Sequence, residues 1–327
     1  MNRLRILAWH VHGSYLNALA RLDHDWFLPT KPGRPEGYGG RGRTFDLPAS
    51  LAEVPAERVR DLDVDLVIYQ SPKNLFDDGP EILSEAQRRL PRIYLEHNTP
   101  KPDAVASHHP FTDPDGLLVH VTRYNRLMWD NGTTPTAVIE HAVAIEPSAN
   151  ASFALPRGIV VVNGPQKRPR IAGYDLFLAA RDRVPLDIVG METEAIGGLG
   201  DVPYRDLHAL VGRYRFLYSP MRYTSLPLAV VEAMTLGLPV VALATTELPS
   251  VIENGVTGFV SNDPDELVDR MLLLLADEGF ARRLGDNARS VAETRFGLDR
   301  FKRDWQGAFA LARDLVGAPI GAEGERA

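Results

Sequence analysis

The run from Tyr218 to Ala242, YSPMRYTSLPLAVVEAMTLGLPVVA, holds the residues with the clearest chemistry. Arg215 to Ser219 is a short apolar strand. Thr224 or Ser225 is suited to cap a helix with Pro227 in its first turn, and Gly237 ends that helix before a second apolar strand. The unpaired amides and positive dipole end of such a helix start, near Leu226 and Leu228, favour an anion such as a diphosphate. Glu232, about two turns further in, puts a carboxylate where it can accept hydrogen bonds from hydroxyls of the same ligand. A second anion-seeking feature is the loop that carries Lys167, Arg168 and Arg170; the planar guanidinium matches phosphate oxygens better than an ammonium, which favours the two arginines. Two further sets leave apolar runs: His10-Val11-His12-Gly13-Ser14, where Gly13 permits close backbone approach, and Glu96-His97-Asn98-Thr99-Pro100.

These residues need a scaffold, and the hydrophobic pattern supplies one. Strand-like runs fall at Leu4 to Trp9, Trp26 to Pro29, Leu66 to Gln70, Arg92 to Glu96, Gly116 to Thr122 and Thr136 to Glu140. Helical patterns lie between several of them, at Tyr15 to Leu22, Pro80 to Leu90 and Tyr124 to Asp130. A second series begins at Ile159 to Asn163 and continues through Leu186 to Gly190, Arg215 to Ser219, Pro239 to Ala242 and Gly258 to Ser261. Asp265 to Ala276, Phe280 to Phe296 and Asp299 to Val316 then read as helices. Such alternation is the sequence form of doubly wound α/β domains with parallel sheets, whose ligands bind at the carboxyl ends of the strands. Glu146 to Ser152 is small and polar, as an interdomain linker would be. Thr30 to Pro48, dense in Gly, Pro and charge, has no period and reads as a mobile surface loop or flap with too little apolar surface to pack.

Composition narrows the classes of function. At 327 residues with 44% hydrophobic content, two domain-sized cores are affordable, and a formal net charge of −7 argues against a general nucleic-acid binder. With no cysteine, disulfides, thiolate metal sites and thiol nucleophiles are excluded. The first residues are too short an apolar run for a signal peptide, and no run approaches the length of a membrane span, so a soluble cytoplasmic protein is expected, with membrane association at most peripheral. His108-His109 and Glu140-His141 lack a third partner at a metal-binding spacing. The Asp-x-Asp spacings at Asp61, Asp63 and Asp65, at Asp113 and Asp115, and at Asp263 and Asp265 lead into a strand, lie in a Pro-rich loop and begin a helix, respectively, so no obligatory metal is expected.

The run after Tyr218 resembles the donor-binding signature of retaining glycosyltransferases of the GT-B type, especially glycosyltransferase family 4, which reads Pro-Ser-x-x-Glu-Gly-Phe-Pro-Leu-x-x-x-Glu-Ala-Met-Ala-x-Gly-x-Pro-Val-Val-Ala. This chain matches at Pro220, Pro227, Leu228, Glu232, Ala233, Met234, Gly237, Pro239, Val240, Val241 and Ala242. It departs where the family's Glu-x7-Glu motif has its first glutamate, which contacts the transferred sugar: Thr224 stands there, followed by Ser225-Leu226 instead of Gly-Phe. The resemblance implies that Glu232 holds the nucleotide ribose and that the Thr224 to Leu228 stretch cradles the donor. It also implies that Lys167, Arg168 and Arg170 stand near the family's diphosphate-gripping Arg and Lys. The lysine position itself holds Ala172, whereas Gly173 and Asp175 match. Gly13 corresponds to a glycine near the diphosphate or acceptor, and His97 to a histidine beside the reacting sugar.

The implied fold is α/β of the GT-B type, two Rossmann-like domains with parallel sheets facing across a cleft. Residues 1–147 would form the acceptor-side domain and 153–303 the nucleotide-sugar domain, with a last helix, 304–327, packing back on the first. The implied activity is metal-independent transfer of a hexose-type sugar from a UDP- or GDP-linked donor, with retention, to a carbohydrate, lipid-linked or small-molecule acceptor. No cofactor and no nucleic acid are expected. Because Thr224 brings no charge, a catalytically silent sugar-nucleotide-binding homologue or partner subunit is the second reading, and a nucleotide-sugar epimerase on the same scaffold is a third.

Overall fold

A computed structural model describes residues 3–145 and 149–317. The chain divides into two compact units, one of residues 1–139 and 301–327, the other of residues 140–300. The first contains strands β1 (Arg5–Ala8), β2 (Asp25–Thr30), β3 (Leu51–Pro55), β4 (Leu66–Tyr69), β5 (Arg92–Glu96), β6 (Leu117–His120) and β7 (Thr136–Val138). The second contains β8 (Gly158–Val161), β9 (Leu186–Val189), β10 (Phe216–Ser219), β11 (Val240–Leu243) and β12 (Gly258–Ser261). These strands pair with one another in parallel, in the orders β3-β2-β1-β4-β5-β6-β7 and β12-β11-β10-β8-β9.

Runs such as Leu66-Val67-Ile68 in β4 and Val240-Val241-Ala242-Leu243 in β11 are apolar on both faces because helices cover both sides of each sheet, as parallel sheets require. Each sheet has a point where the strand order reverses, between β1 and β4 in the first unit and between β8 and β10 in the second. At such a point the chain leaves neighbouring strands toward opposite faces and opens a crevice at their carboxyl ends. His10 to Gly13 and Gln70 leave the first switch point; the loops after Val161 and Ser219 leave the second.

Three expectations about elements need correction. Leu51 to Pro55 is a strand that the pattern did not reveal; as an edge strand pairing only β2 it tolerates exposed Ala52 and Glu53 and ends in proline. Pro80 to Leu90 is not one helix: a π-turn at Asn74–Asp78 runs into Gly79–Ile82, and Ser84 with Gln87 forms a capping box that starts Glu85–Arg88 anew. Nor does Thr30 to Pro48 lack packing. Tyr38 is 1% exposed, the Arg34 guanidinium forks onto Glu53, and Arg41 donates to the carbonyls of Leu47, Pro48 and Leu51. His10 Nδ1 lies 2.6 Å from the Gly40 carbonyl. An exposed Arg34–Glu53 fork and partly buried contacts to backbone carbonyls, invisible to hydropathy, tie this segment down.

The units part at 139/140 and 300/301, not at the expected 147 to 153 and 303/304. Arg295 pairs with the Glu140 carboxylate and Arg300 donates to the Glu140 carbonyl at 2.9 Å, which draws the stretch after β7 into the second unit. Residues 146–148 of the expected linker, and 318–327 of the last helical stretch, lie outside the described residues. From Phe301 to Gly317 that helix belongs to the first unit, where Trp305 Nε1 donates to the Tyr15 hydroxyl at 3.2 Å.

Candidate functional site

In the second unit, Gly164 follows β8 in a left-handed conformation and opens a turn, Pro165–Lys167, and a short helix, Pro169–Ala172. Gly173, at φ 68°, redirects the chain into the helix Tyr174–Arg181; a Cβ there would lie 1.9 Å from the Pro220 carbonyl oxygen. The loops after β8 and β10 are therefore in backbone contact. Their tie is completed by Arg222, whose amide donates to the Ile171 carbonyl at 2.9 Å and whose guanidinium forks onto Asp175 at 2.6 and 2.7 Å. That hydrogen-bonded arginine holds the Asp175 carboxyl below the usual carboxylate range.

The three candidate cations are not equivalent. Lys167 pairs with Glu192, and Arg170 pairs with Asp175 at 2.7 Å. Arg168 is exposed and has no ion pair among the described residues, so its charge is the one not already balanced.

The helix expected after the loop runs from Leu228 to Leu236, with Gly237 at φ 82° as its left-handed end. Its start differs from expectation. Pro227 is the capping residue and no side chain caps the helix; Thr224 and Ser225 lie three and two residues before it, too early to act as the cap. Leu226 and Ser225 are buried, and Thr224, Pro227 and Leu228 are half-buried along the loop. The anion-favouring start thus survives without a competing hydroxyl or acidic side chain in its first turn.

Glu232 is 7% exposed and faces the helix Tyr204–Val211. The Tyr204 hydroxyl donates to its Oε1 at 3.0 Å, and His208 Nε2 stands 3.8 Å from the same oxygen. Oε2 makes no hydrogen bond among the described residues, leaving one carboxylate oxygen for a ligand. Tyr204, Arg222 and Asp175 are the supporting residues that spacing alone did not single out in this role; Asp175 was matched only as part of the resemblance.

In the first unit, the carboxyl ends of β1, β4 and β5 bring together Trp9, Gln70 and His97. Gln70 Nε2 donates to the Trp9 carbonyl, and Gln70 Oε1 lies 2.9 Å from His97 Nε2. The His97 ring packs 4.1 Å from that of His12 and 4.9 Å from that of Tyr15, centroid to centroid. Burial lowers the pKa of His12, against the raising influence of Glu96. Gly13 begins the helix Gly13–Leu19, where a Cβ would come within 2.7 Å of the Phe45 ring. Its smallness is used for that close approach.

Glu96 and His109 are both buried and 3.1 Å apart; His109 Nδ1 accepts from the Phe111 amide, so Nε2 is the donor to Glu96. His108 instead faces Asp130 at the surface, so the adjacent histidines point apart. The Asp-x-Asp carboxylates are occupied too: Asp63 pairs with Arg5, Asp113 with Arg92, and Asp263 accepts from the Asp265 amide as a helix cap. Among the described residues no group of three or more His, Asp or Glu is placed to hold a metal ion.

Two doubly wound parallel sheets of this order, each with a switch point, form a GT-B fold. Solved structures agree: Anabaena HepE in complex with UDP and glucose covers 94% of this chain and all of its own (100%), with a TM-score of 0.68 at 14% identity. Residues 193–291 match the family described as Glycosyl transferases group 1. Among curated relatives, an uncharacterized glycosyltransferase of Haemophilus influenzae is 30% identical over 91 residues, 27% of this chain and 26% of its own length. The sulfoquinovosyl transferase of Arabidopsis thaliana is 34% identical over 100 residues, 29% of this chain and 18% of its own. The chain thus spans about a quarter or less of the curated relatives it matches. The matched segment contains Tyr204, His208, Thr224 and Glu232 but neither the Lys167 to Arg170 loop nor the first unit's half-site. No helix of the described residues is long and apolar enough to cross a membrane.

Proposed function

We propose that the protein transfers a hexose-type sugar from a UDP- or GDP-linked donor to an acceptor, with retention of anomeric configuration and without a metal. The observation that carries this is Glu232: a buried carboxylate behind the anion-favouring start of the Leu228–Leu236 helix, one oxygen held by Tyr204 and the other open to a ligand. In this reading the second unit binds the donor. Glu232 accepts from ribose hydroxyls, the backbone from Thr224 to Leu228 receives the diphosphate, and Arg168 neutralises it, with Lys167 and Arg170 joining only by giving up their present carboxylates. The first unit supplies Gly13 and His97 to the acceptor side. Without a metal, charge on the departing diphosphate is met by preoriented amides and arginine. The UDP and glucose bound by HepE support a uridine donor.

The second reading, a silent nucleotide-sugar binder, is favoured by Thr224, which offers a hydroxyl where a charged hydrogen-bond acceptor is expected. A thermal-shift screen of UDP, GDP and their sugars, followed by donor-hydrolysis and transfer assays, separates the two. Binding with turnover is expected, and Thr224→Glu should change the rate or the donor preferred. Binding without turnover on any nucleotide sugar across a broad acceptor panel would leave only the silent reading, and no binding at all would remove both.

A further inference from the structure

We infer that His208 and Glu232 together form a site for one hydroxyl-type oxygen, either a hydroxyl of the nucleotide's sugar or a water. The sugar as its source rests on the function proposed above; the site itself does not. Both side chains are buried, and His208 stands one helical turn after Tyr204, on the same side of the helix Tyr204–Val211. Their rings meet edge to face with centroids 4.7 Å apart. The Tyr204 hydroxyl holds Glu232 Oε1 at 3.0 Å, which leaves His208 Nε2 3.8 Å from that oxygen, too far for a direct hydrogen bond. Nε2 is enclosed and makes no hydrogen bond to any described residue. Two polar groups held apart by this distance can share one bridging oxygen.

The space for that oxygen is present. A cavity of about 10 Å³ is lined by His208 and Glu232, with Leu207, Val211 and Leu236 among the apolar side chains around it. This is the volume of a single water or hydroxyl, and the apolar walls leave the imidazole and the carboxylate to fix where it sits. The two sources differ in their hydrogens. A sugar hydroxyl has one, which goes to the Glu232 carboxylate, so its oxygen must accept from a protonated Nε2; a water has two and fits either tautomer of His208. An anion, by contrast, would be repelled by the carboxylate. His208 is thus a specificity-determining residue for a sugar that carries the hydroxyl over one that lacks it, because a deoxy sugar leaves both buried groups without their shared partner.

Crystals of the full chain, grown without nucleotide and with UDP or GDP, test the site. One oxygen within about 3.2 Å of both His208 Nε2 and a Glu232 oxygen is expected in each. A direct hydrogen bond between the two side chains, or no oxygen on Nε2 in either crystal, overturns the inference. The source is read from affinities of UDP, GDP and their 2′- and 3′-deoxy forms for the wild type, His208→Leu and His208→Gln. If the ribose supplies the oxygen, removing one of its hydroxyls should weaken binding to the wild type about tenfold or more. His208→Leu should shrink that penalty about threefold or more, and His208→Gln, whose amide reaches the place of Nε2, should restore it. The same penalty in all three proteins, with water still bridging in the nucleotide-bound crystal, assigns the oxygen to water and overturns the specificity role. A protein that shows the bridging oxygen but binds neither UDP nor GDP counts against the proposed function alone.

Discussion

His120, the last residue of β6, shows how one buried ring sets a pH limit on this fold. It is fully enclosed, its Nε2 lies 2.8 Å from Asn131 Oδ1, and burial pushes its pKa down to about 4. The sign follows from linkage. Above the ordinary value of 6.5 the ring is neutral whether the chain is folded or not; below it, the unfolded chain takes a proton that the folded one refuses. Stability is therefore lost as pH falls from about 6.5 to about 4, by up to about 3 kcal/mol from this residue, and no further below. Urea unfolding at pH 7 and pH 4.5 should show the gap between wild type and His120→Asn narrowing at the lower pH; a gap independent of pH would refute the assignment.

Among elements, the loops after β8 and β10 form one mechanical part of the second unit's candidate site. Gly173 makes their contact possible through a positive φ and a missing Cβ, and the Arg222–Asp175 fork secures it. Gly173→Ala should destabilise the protein by about 2 kcal/mol or more and weaken nucleotide binding, because backbone must move. Gly197→Ala is the control: its φ of 74° is similar, but nothing lies within 4 Å of the added carbon, so only the conformational cost of about 1 kcal/mol remains. Denaturant unfolding with nucleotide titration of both variants distinguishes the two; equal effects would show that loop contact is unimportant. The helix Leu228–Leu236 is secured at its far end, where Arg289 donates to the Leu236 carbonyl beside Gly237. Its boundary at Gly237 was legible because only glycine readily takes that turn, whereas its start was not, since Thr224, Ser225 and Pro227 all carry cap or first-turn signals and only the folded path shows which residue is last before the helix.

At the scale of the whole chain, two units with separate sheets predict separable responses to ligand. A nucleoside diphosphate should slow amide exchange at the ends of β8 and β10 and along Leu228–Leu236, within residues 140–300, because a ligand bound to one folded unit stabilises that unit. Protection confined to the ends of β1, β4 and β5 would place the donor on the wrong unit. The sequence by itself determined the α/β class and eleven of the twelve strands among the described residues, because continuous apolar runs and glycine ends are local signals. Only the tertiary structure decided the rest: the edge strand β3, the pinned Thr30 to Pro48 segment, the unpaired charge of Arg168, and the Gln70 amide turned toward His97. Each depends on a partner distant along the chain, Glu53 for Arg34, Asp175 for Arg222, Trp9 for Gln70. Charge balance and hydrogen-bond direction are properties of pairs, which a linear pattern does not contain until folding brings the partners within about 3 Å.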